Sequence, residues 1–402
     1  MKRRTFLKTA SKAAAGAGAA IVGPRLLRGA ATGKAGRRYR VGVIGRTGRG
    51  DYGHALDTAW LATPETEIVA VADDNAPGLA AAAKRLKVNQ TFADWRKMLE
   101  EARPDIVAIC PRWLDQHGDM AAAATERGIH VLMEKPMCRT PAEADRIVAA
   151  CEKTGAKLAV AHPTRYSPRL ATVKRLIAEG KIGKVLEYRA RGKEDRRGGG
   201  EDLWVLGTHV LDLVQALGGR PQWCFAHVTQ DGEPVARKHV RDGNEGIGPL
   251  AGDAVRAMYG MSDGSTAYFG SCKNAAGKPW RYALQILGSR GIIEMTEGTM
   301  PDVKYLGDPS WSPGRSGATW QDVTSAGIGE PEPLAGPQYA ARHTLAIRDL
   351  LAAVEEDRQP LGGPLPGRDV VEMIVAVFES HRLGRPATLP LTNRENPLAM
   401  LG

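Results

Sequence analysis

Between residues 39 and 161 short apolar runs alternate with longer amphipathic stretches. Residues 40–44, 67–72, 105–109, 130–133 and 157–160 read as strands. Ala-, Leu-, Glu- and Arg-rich stretches such as 79–86, 119–127 and 141–154 read as helices. Strands alternating with helices at this spacing predict a parallel sheet covered on both faces. Pro141 after Thr140 fits the usual helix entry, with a threonine cap and proline in the first turn.

The pattern changes after residue 162. Residues 185–191, 223–230, 254–261, 266–272 and 283–287 are longer and alternate with period two, so one face of each is wetter. Val255, Ala257, Tyr259 and Met261 share one side; Ala254, Arg256 and Met258 share the other. This predicts a largely antiparallel sheet, with a hairpin turn at residues 262–265. Residues 299–337 show no periodicity and many Pro, Gly, Ser and Trp. They read as a long surface or active-site loop. Helical patterns return at 343–356 and 369–381. The expected organisation is a segment 1–35, an α/β domain 38–161 and an α+β domain 162–402, a size that suits two domains.

Charge alters the reading of the first segment. The formal net charge is +10, but Lys2, Arg3, Arg4, Lys8, Lys12, Arg25 and Arg28 supply seven of it, leaving +3 on the remainder. That residue of charge implies no polyanionic partner, so nucleic-acid binding is not expected. Arg3-Arg4-Thr5-Phe6-Leu7-Lys8 precedes a small-residue apolar run from Ala13 to Val22. The run is too short to span a bilayer, so no stable membrane span is expected. It predicts an export signal of the twin-arginine kind, read by the twin-arginine machinery, and a periplasmic or otherwise exported protein. The five cysteines are odd in number, with no C-x-x-C spacing, so neither a disulfide framework nor a zinc site is predicted. Free thiols in an oxidising compartment are expected to be buried.

The first strand runs into Gly45-Arg46-Thr47-Gly48-Arg49-Gly50-Asp51-Tyr52-Gly53. A dinucleotide fold needs a glycine at the sharp turn, bare backbone near the pyrophosphate and a helix N-terminus beneath it. One register gives Gly45, Thr47 and Gly50, without the middle glycine. The other gives Gly48, Gly50 and Gly53, three residues late. Both remain open. The second strand ends at Asp73, 28 residues beyond Gly45, where a carboxylate can bind ribose hydroxyls and disfavour a 2′-phosphate. NAD is therefore expected over NADP. No terminal Lys-Ser/Thr follows the loop, which excludes a Walker-type phosphate loop. No His, Asp and Glu grouping has metal-ligand spacing.

The fourth strand ends in Met133-Glu134-Lys135-Pro136. With the glycine loop, Asp73, Ala161-His162-Pro163-Thr164-Arg165, Gly198–Gly200, Gly207-Thr208-His209-Val210-Leu211-Asp212 and Phe378–Gly384, this resembles the glucose–fructose oxidoreductase/inositol dehydrogenase/MocA family. The resemblance implies a Rossmann NAD(P)-binding domain followed by an α+β domain. It also implies a large, mainly antiparallel open sheet that often forms oligomer contacts, hence a homo-oligomer. It implies a carbohydrate or cyclitol substrate, and cofactor contacts from Gly45, Arg46, Thr47, Gly48, Gly50, Asp73 and Glu134. Lys135 would stabilise charge on the reacting oxygen, and His209 would move the hydroxyl proton. Asp212 would orient His209 or bind substrate, with Arg165 and Trp204 lining the sugar site. His117 and His162 are weaker candidates for the cleft.

One position departs from the family pattern. Many such dehydrogenases carry an Asp four residues before the histidine, where this chain has Val205. Asp202 is seven before His209, about 10 Å of helical rise and too far for a hydrogen bond. The expected activity is an exported NAD(P)-dependent oxidoreductase with a tightly bound cofactor. A glycosidase or lyase using transient oxidation, and a non-catalytic carbohydrate-binding scaffold, are the alternatives.

Overall fold

The computed structural model describes residues 38–402, and the signal expected over residues 1–35 lies outside them. Six strands form an all-parallel sheet: β1 (Tyr39–Ile44), β2 (Thr66–Ala72), β3 (Gln90–Phe92), β4 (Ile106–Ile109), β5 (His130–Met133) and β6 (Leu158–Val160). Their order is β3-β2-β1-β4-β5-β6. The winding reverses between β1 and β4, the point where ligands bind outside the carboxyl ends of such sheets. β3 escapes the sequence pattern because Gln90-Thr91-Phe92 is short and half polar; it joins the edge through its backbone.

The apolar strands are buried on both sides. Ile44, Val107, Ile109, Val131 and Met133 pack against helices Trp95–Glu101, His117–Thr125 and Pro141–Thr154. Val41, Val43, Ile106, Ala108 and Leu132 pack against Trp60 and helices Ala76–Leu86 and Thr344–Glu355. The last helix comes from late in the chain, and its apolar stripe (Ala346, Ile347, Leu350, Leu351) closes this face of the parallel sheet. Thr140 caps Pro141–Thr154 with a reciprocal Glu143 contact, a box that stabilises a helix start by about 1 kcal/mol.

The second sheet has ten strands. From edge to edge run Gln321–Asp322, Val303–Leu306, Gly291–Met295, Leu284–Gly288, Val185–Arg191, Thr266–Cys272, Ala254–Met261, Pro221–Gln230 and Ala387–Thr388, with Glu233–Pro234 paired to Pro221–Gln230. Only Val185–Arg191 with Thr266–Cys272 is parallel; the other pairs are antiparallel. Helices Thr208–Gly218 and Pro364–Leu383 cover one face. The stretch expected as one long loop is partly ordered into this sheet, because Val303–Leu306 pairs with Gly291–Met295 and buries Val303 on one face and Leu306 on the other. Four cysteines are buried as expected, whereas Cys272 is only half-buried on a strand. Among the described residues no helix is long and apolar enough to cross a membrane.

Candidate active site

The glycine loop leaves β1 and closes on itself through an Arg46–Asp51 bridge. Gly48 and Gly50 take φ of 82° and 87°, where a Cβ would be strained. A Cβ on Gly50 would also meet the Arg112 backbone nitrogen at 2.3 Å, so this glycine seats the loop against the end of β4. Between β1 and β2 the described chain forms turns and the short 3₁₀ helix Thr58–Ala62, not the α-helix whose N-terminus the motif led one to expect. Left-handed Asp51, Gly53 and Ala55 interrupt helical geometry there.

Asp73 holds this loop. Its carboxylate accepts from the Thr47 backbone nitrogen (3.1 Å), the Thr47 hydroxyl (2.7 Å), the Tyr52 hydroxyl (2.9 Å) and the Asn75 nitrogen (2.9 Å). Burial, with the Asp73 charge, pushes the Tyr52 phenol well above its ordinary pKa, so it stays a donor. The exposed carboxylate beside it is Asp74, which sequence reading passed over as the second of a pair.

A pocket of about 120 Å³ opens at the ends of β1, β2 and β3, lined by Gly45, Arg46, Asp73, Asp74, Trp95 and Arg96 among others. Arg46 donates to Asp115 at 2.7 Å, while its Nε is buried without a hydrogen bond, Asp74 lying 3.5 Å away. The exposed Asp74 carboxylate for sugar hydroxyls, the Arg46 guanidinium for a phosphate and the wall at Trp95 fit a dinucleotide.

On the other side of the sheet crest, Glu134 is fully buried at the end of β5. It accepts from the His54 backbone nitrogen (3.2 Å) and contacts His54 Nδ1 (2.9 Å). Burial alone would raise its pKa; the His54 hydrogen bond and the Lys135 charge help to outweigh it and hold the carboxylate below its usual range. It thereby ties the far end of the glycine loop to the Glu-Lys-Pro turn. Lys135 is 6% exposed, and its Nζ donates to the Val205 carbonyl oxygen at 2.6 Å. Burial lowers its pKa, opposed by Glu134. The accepting carbonyl belongs to a π-helical turn, Leu203–Gly207, that runs into helix Thr208–Gly218. Such turns displace carbonyls from the i→i−4 ladder and are frequent at functional sites.

His209 lies in the first turn of that helix and is 4% exposed. Burial, then the Lys135 charge, drives its pKa well below the ordinary value, so the imidazole is neutral. The His162 ring stands edge-on to it, centroids 5.5 Å apart. Glu297 Oε1 lies 3.5 Å from His209 Nδ1 and accepts from Arg342 at 2.9 Å. Neither Glu297 nor Arg342 was a sequence candidate. Glu297 sits at the head of a stretch without periodicity, and no local signal links it to His209.

The remaining candidates are brought together differently. Arg165 and Asp212 form a buried two-point pair (Nε 3.0 Å, Nη2 2.7 Å), and Arg165 also reaches Gln215 at 2.8 Å and Leu361 O. Asp212 also lies 3.3 Å from His162 Nδ1. Trp204 is 1% exposed with an unpartnered indole nitrogen. Asp202 is spent on Ser271 (2.5 Å) and the Glu194 nitrogen (3.0 Å). His117 uses both ring nitrogens on the carbonyls of Pro136 (2.8 Å) and Pro111 (2.7 Å), which staples the ends of β4 and β5. Among the described residues no His, Cys, Asp and Glu group could hold a metal ion.

Residues 39–162 match a family model described as an oxidoreductase family with an NAD-binding Rossmann fold, and residues 170–294 match the GFO/IDH/MocA C-terminal domain. The chain is 26% identical over 373 residues to levoglucosan dehydrogenase of Pseudarthrobacter phenanthrenivorans, covering 84% of this chain and 95% of that protein. It is 30% identical over 265 residues to the NAD(+)-dependent scyllo-inositol 2-dehydrogenase of Bacillus subtilis, covering 64% of this chain and 73% of that one. Among solved structures, a levoglucosan dehydrogenase complex with NADH and levoglucosan superposes with a TM-score of 0.71 at 24% identity, over 88% of this chain and all of the other.

Proposed function

The chain belongs to the GFO/IDH/MocA oxidoreductase family, and from that premise we propose that it oxidises or reduces one carbon of a sugar, anhydrosugar or cyclitol with NAD. The observation that carries this is the meeting of Lys135, His209 and the glycine loop at the carboxyl ends of β4 and β5. The similarity to levoglucosan and inositol dehydrogenases supports the substrate class.

Bound at the loop, the nicotinamide supplies the hydride acceptor or donor. Arg46, Asp74 and the loop backbone would hold the dinucleotide, with Asp73 fixing the loop through Thr47 and Tyr52. Lys135 has one hydrogen bond committed to Val205 and two ammonium protons left for a substrate oxygen, where it stabilises negative charge. His209, neutral and shielded from water, takes the hydroxyl proton. Glu134 keeps the turn bearing Lys135 in register with the loop.

Residues 1–35 act as a twin-arginine signal that sends the folded, NAD-loaded protein out of the cytoplasm. Free NAD is scarce there, so the cofactor stays bound between turnovers. Replacing Arg3 and Arg4 by lysine should retain the protein in the cytoplasm; unchanged export would remove this part. The function is tested by mass spectrometry of small molecules released on denaturing the purified protein, with turnover on a sugar and cyclitol panel. Bound NAD and an oxidised product support the proposal. Glycosidic cleavage without net NADH would favour the redox-assisted glycosidase or lyase, and no nucleotide at all would favour a scaffold.

A further inference from the structure

Val205 leaves His209 without an acid one turn before it on the same helical segment. The structure places another carboxylate beside the ring. His209 Nδ1 is buried and makes no hydrogen bond, and Glu297 Oε1 stands 3.5 Å from it. Among the described residues Glu297 is the one carboxylate within ion-pair distance of His209. It is fixed from behind by Arg342 at 2.9 Å. Its backbone is fixed too: the Gly298 nitrogen donates to the Thr164 hydroxyl at 2.9 Å, and the Thr296 nitrogen to the Asp302 carbonyl at 3.0 Å. The carboxylate side chain is 14% exposed, so water screens the contact weakly.

We propose that Glu297 is the positioning residue of His209, doing from the bend after strand Gly291–Met295 what an acid at position 205 would do from the helix. Its carboxylate accepts a hydrogen bond from Nδ1–H, which sets Nε2 as the nitrogen that receives the substrate proton. It then balances the imidazolium that results. The inference rests on His209 being the proton-transfer group. In the oxidative direction the substrate O–H bond breaks and its proton forms an N–H bond at Nε2. The carbon-bound hydrogen leaves with its electron pair to the oxidised dinucleotide. Nδ1 keeps its proton.

The surrounding charges make this partner necessary. Burial first, then the Lys135 and Arg342 charges, lower the proton affinity of His209. A closure of a few tenths of an ångström brings Nδ1 and Oε1 to hydrogen-bond distance, and apo geometry is commonly this loose.

The test uses the NAD-loaded protein and its Glu297→Gln, Glu297→Asp and His209→Gln variants. Nitrogen NMR of labelled histidines, with His209 assigned by its loss in His209→Gln, reads the tautomer and the imidazole titration without substrate. The expected wild-type state is protonated at Nδ1. In Glu297→Gln the titration moves to lower pH, kcat falls by roughly 10²- to 10⁴-fold at nearly constant KM, and Glu297→Asp recovers part of the loss. Unchanged tautomer, titration and kcat in Glu297→Gln would overturn the proposal and leave Glu297 a structural partner of Arg342. Full activity in His209→Gln would instead remove the premise about His209, and bound-nucleotide content separates either result from cofactor loss.

Discussion

The Lys135 ammonium is anchored on the carbonyl oxygen of Val205, 2.6 Å away, four residues before His209 on the same continuous helical segment. The side chain at 205 is apolar, yet its backbone takes part in the site, because the π-turn Leu203–Gly207 offers that carbonyl to the lysine. One short backbone contact thus sets the spacing between the Lys135 ammonium and the His209 imidazole. Lys135→Met should lower kcat by roughly 10²- to 10³-fold, with bound NAD unchanged, as read by turnover and by nucleotide release. Wild-type kcat in this variant would exclude Lys135 from the chemistry.

Asp73 ties down the glycine loop through Thr47 and Tyr52. Tyr52→Phe removes one hydrogen bond to a buried carboxylate, which should cost about 1.5–3 kcal/mol of stability. It should also weaken NAD binding, because the loop loses one of its ties. Chemical denaturation and calorimetric titration check the two effects. A more tightly bound nucleotide would mean that the Tyr52 contact holds the loop in a conformation that opposes binding.

Asp212→Asn strands the Arg165 guanidinium in a nearly dry site. Removing one partner of such a pair costs about 3–5 kcal/mol, so the denaturation midpoint should fall sharply. A direct sugar contact predicts the reverse pattern, a raised KM with stability kept.

Two buried histidines make the fold acid-sensitive. Burial, the largest cause in each, lowers the pKa of His162 and of His343 from 6.5 to about 4. Both are neutral in the folded chain and titrate near 6.5 when it unfolds. Their contribution is therefore complete above about pH 6.5 and is lost progressively as pH falls towards about 4. Thermal midpoints should be flat above neutrality and drop through that window. His343→Gln should blunt the drop.

Much of the first sheet was legible because strands buried on both faces must be apolar runs, and helices between them must be amphipathic. β3 was not, since Gln90–Phe92 contributes backbone pairing and little side-chain burial. The amphipathic stripe of Thr344–Glu355 identified a helix but not its partners, which lie far earlier in the chain at Thr58–Ala62 and at strands His130–Met133 and Leu158–Val160. Lys135 and His209 stand on local motifs. Glu297 has none: only the folding of Gly291–Met295 into the second sheet brings it to His209. The turn at Leu203–Gly207 reads as ordinary helix from Leu-Trp-Val-Leu-Gly, and its displaced carbonyl appears only in three dimensions.

The most direct test of the central claim is the absorbance of reduced nicotinamide when the purified, NAD-loaded protein meets an anhydrosugar, aldose and cyclitol panel, with Lys135→Met in parallel. Sugar-dependent reduction in the wild type and its near-absence in Lys135→Met is the predicted result. No reduction by any member of the panel, with no carbonyl product at the sugar, would contradict it.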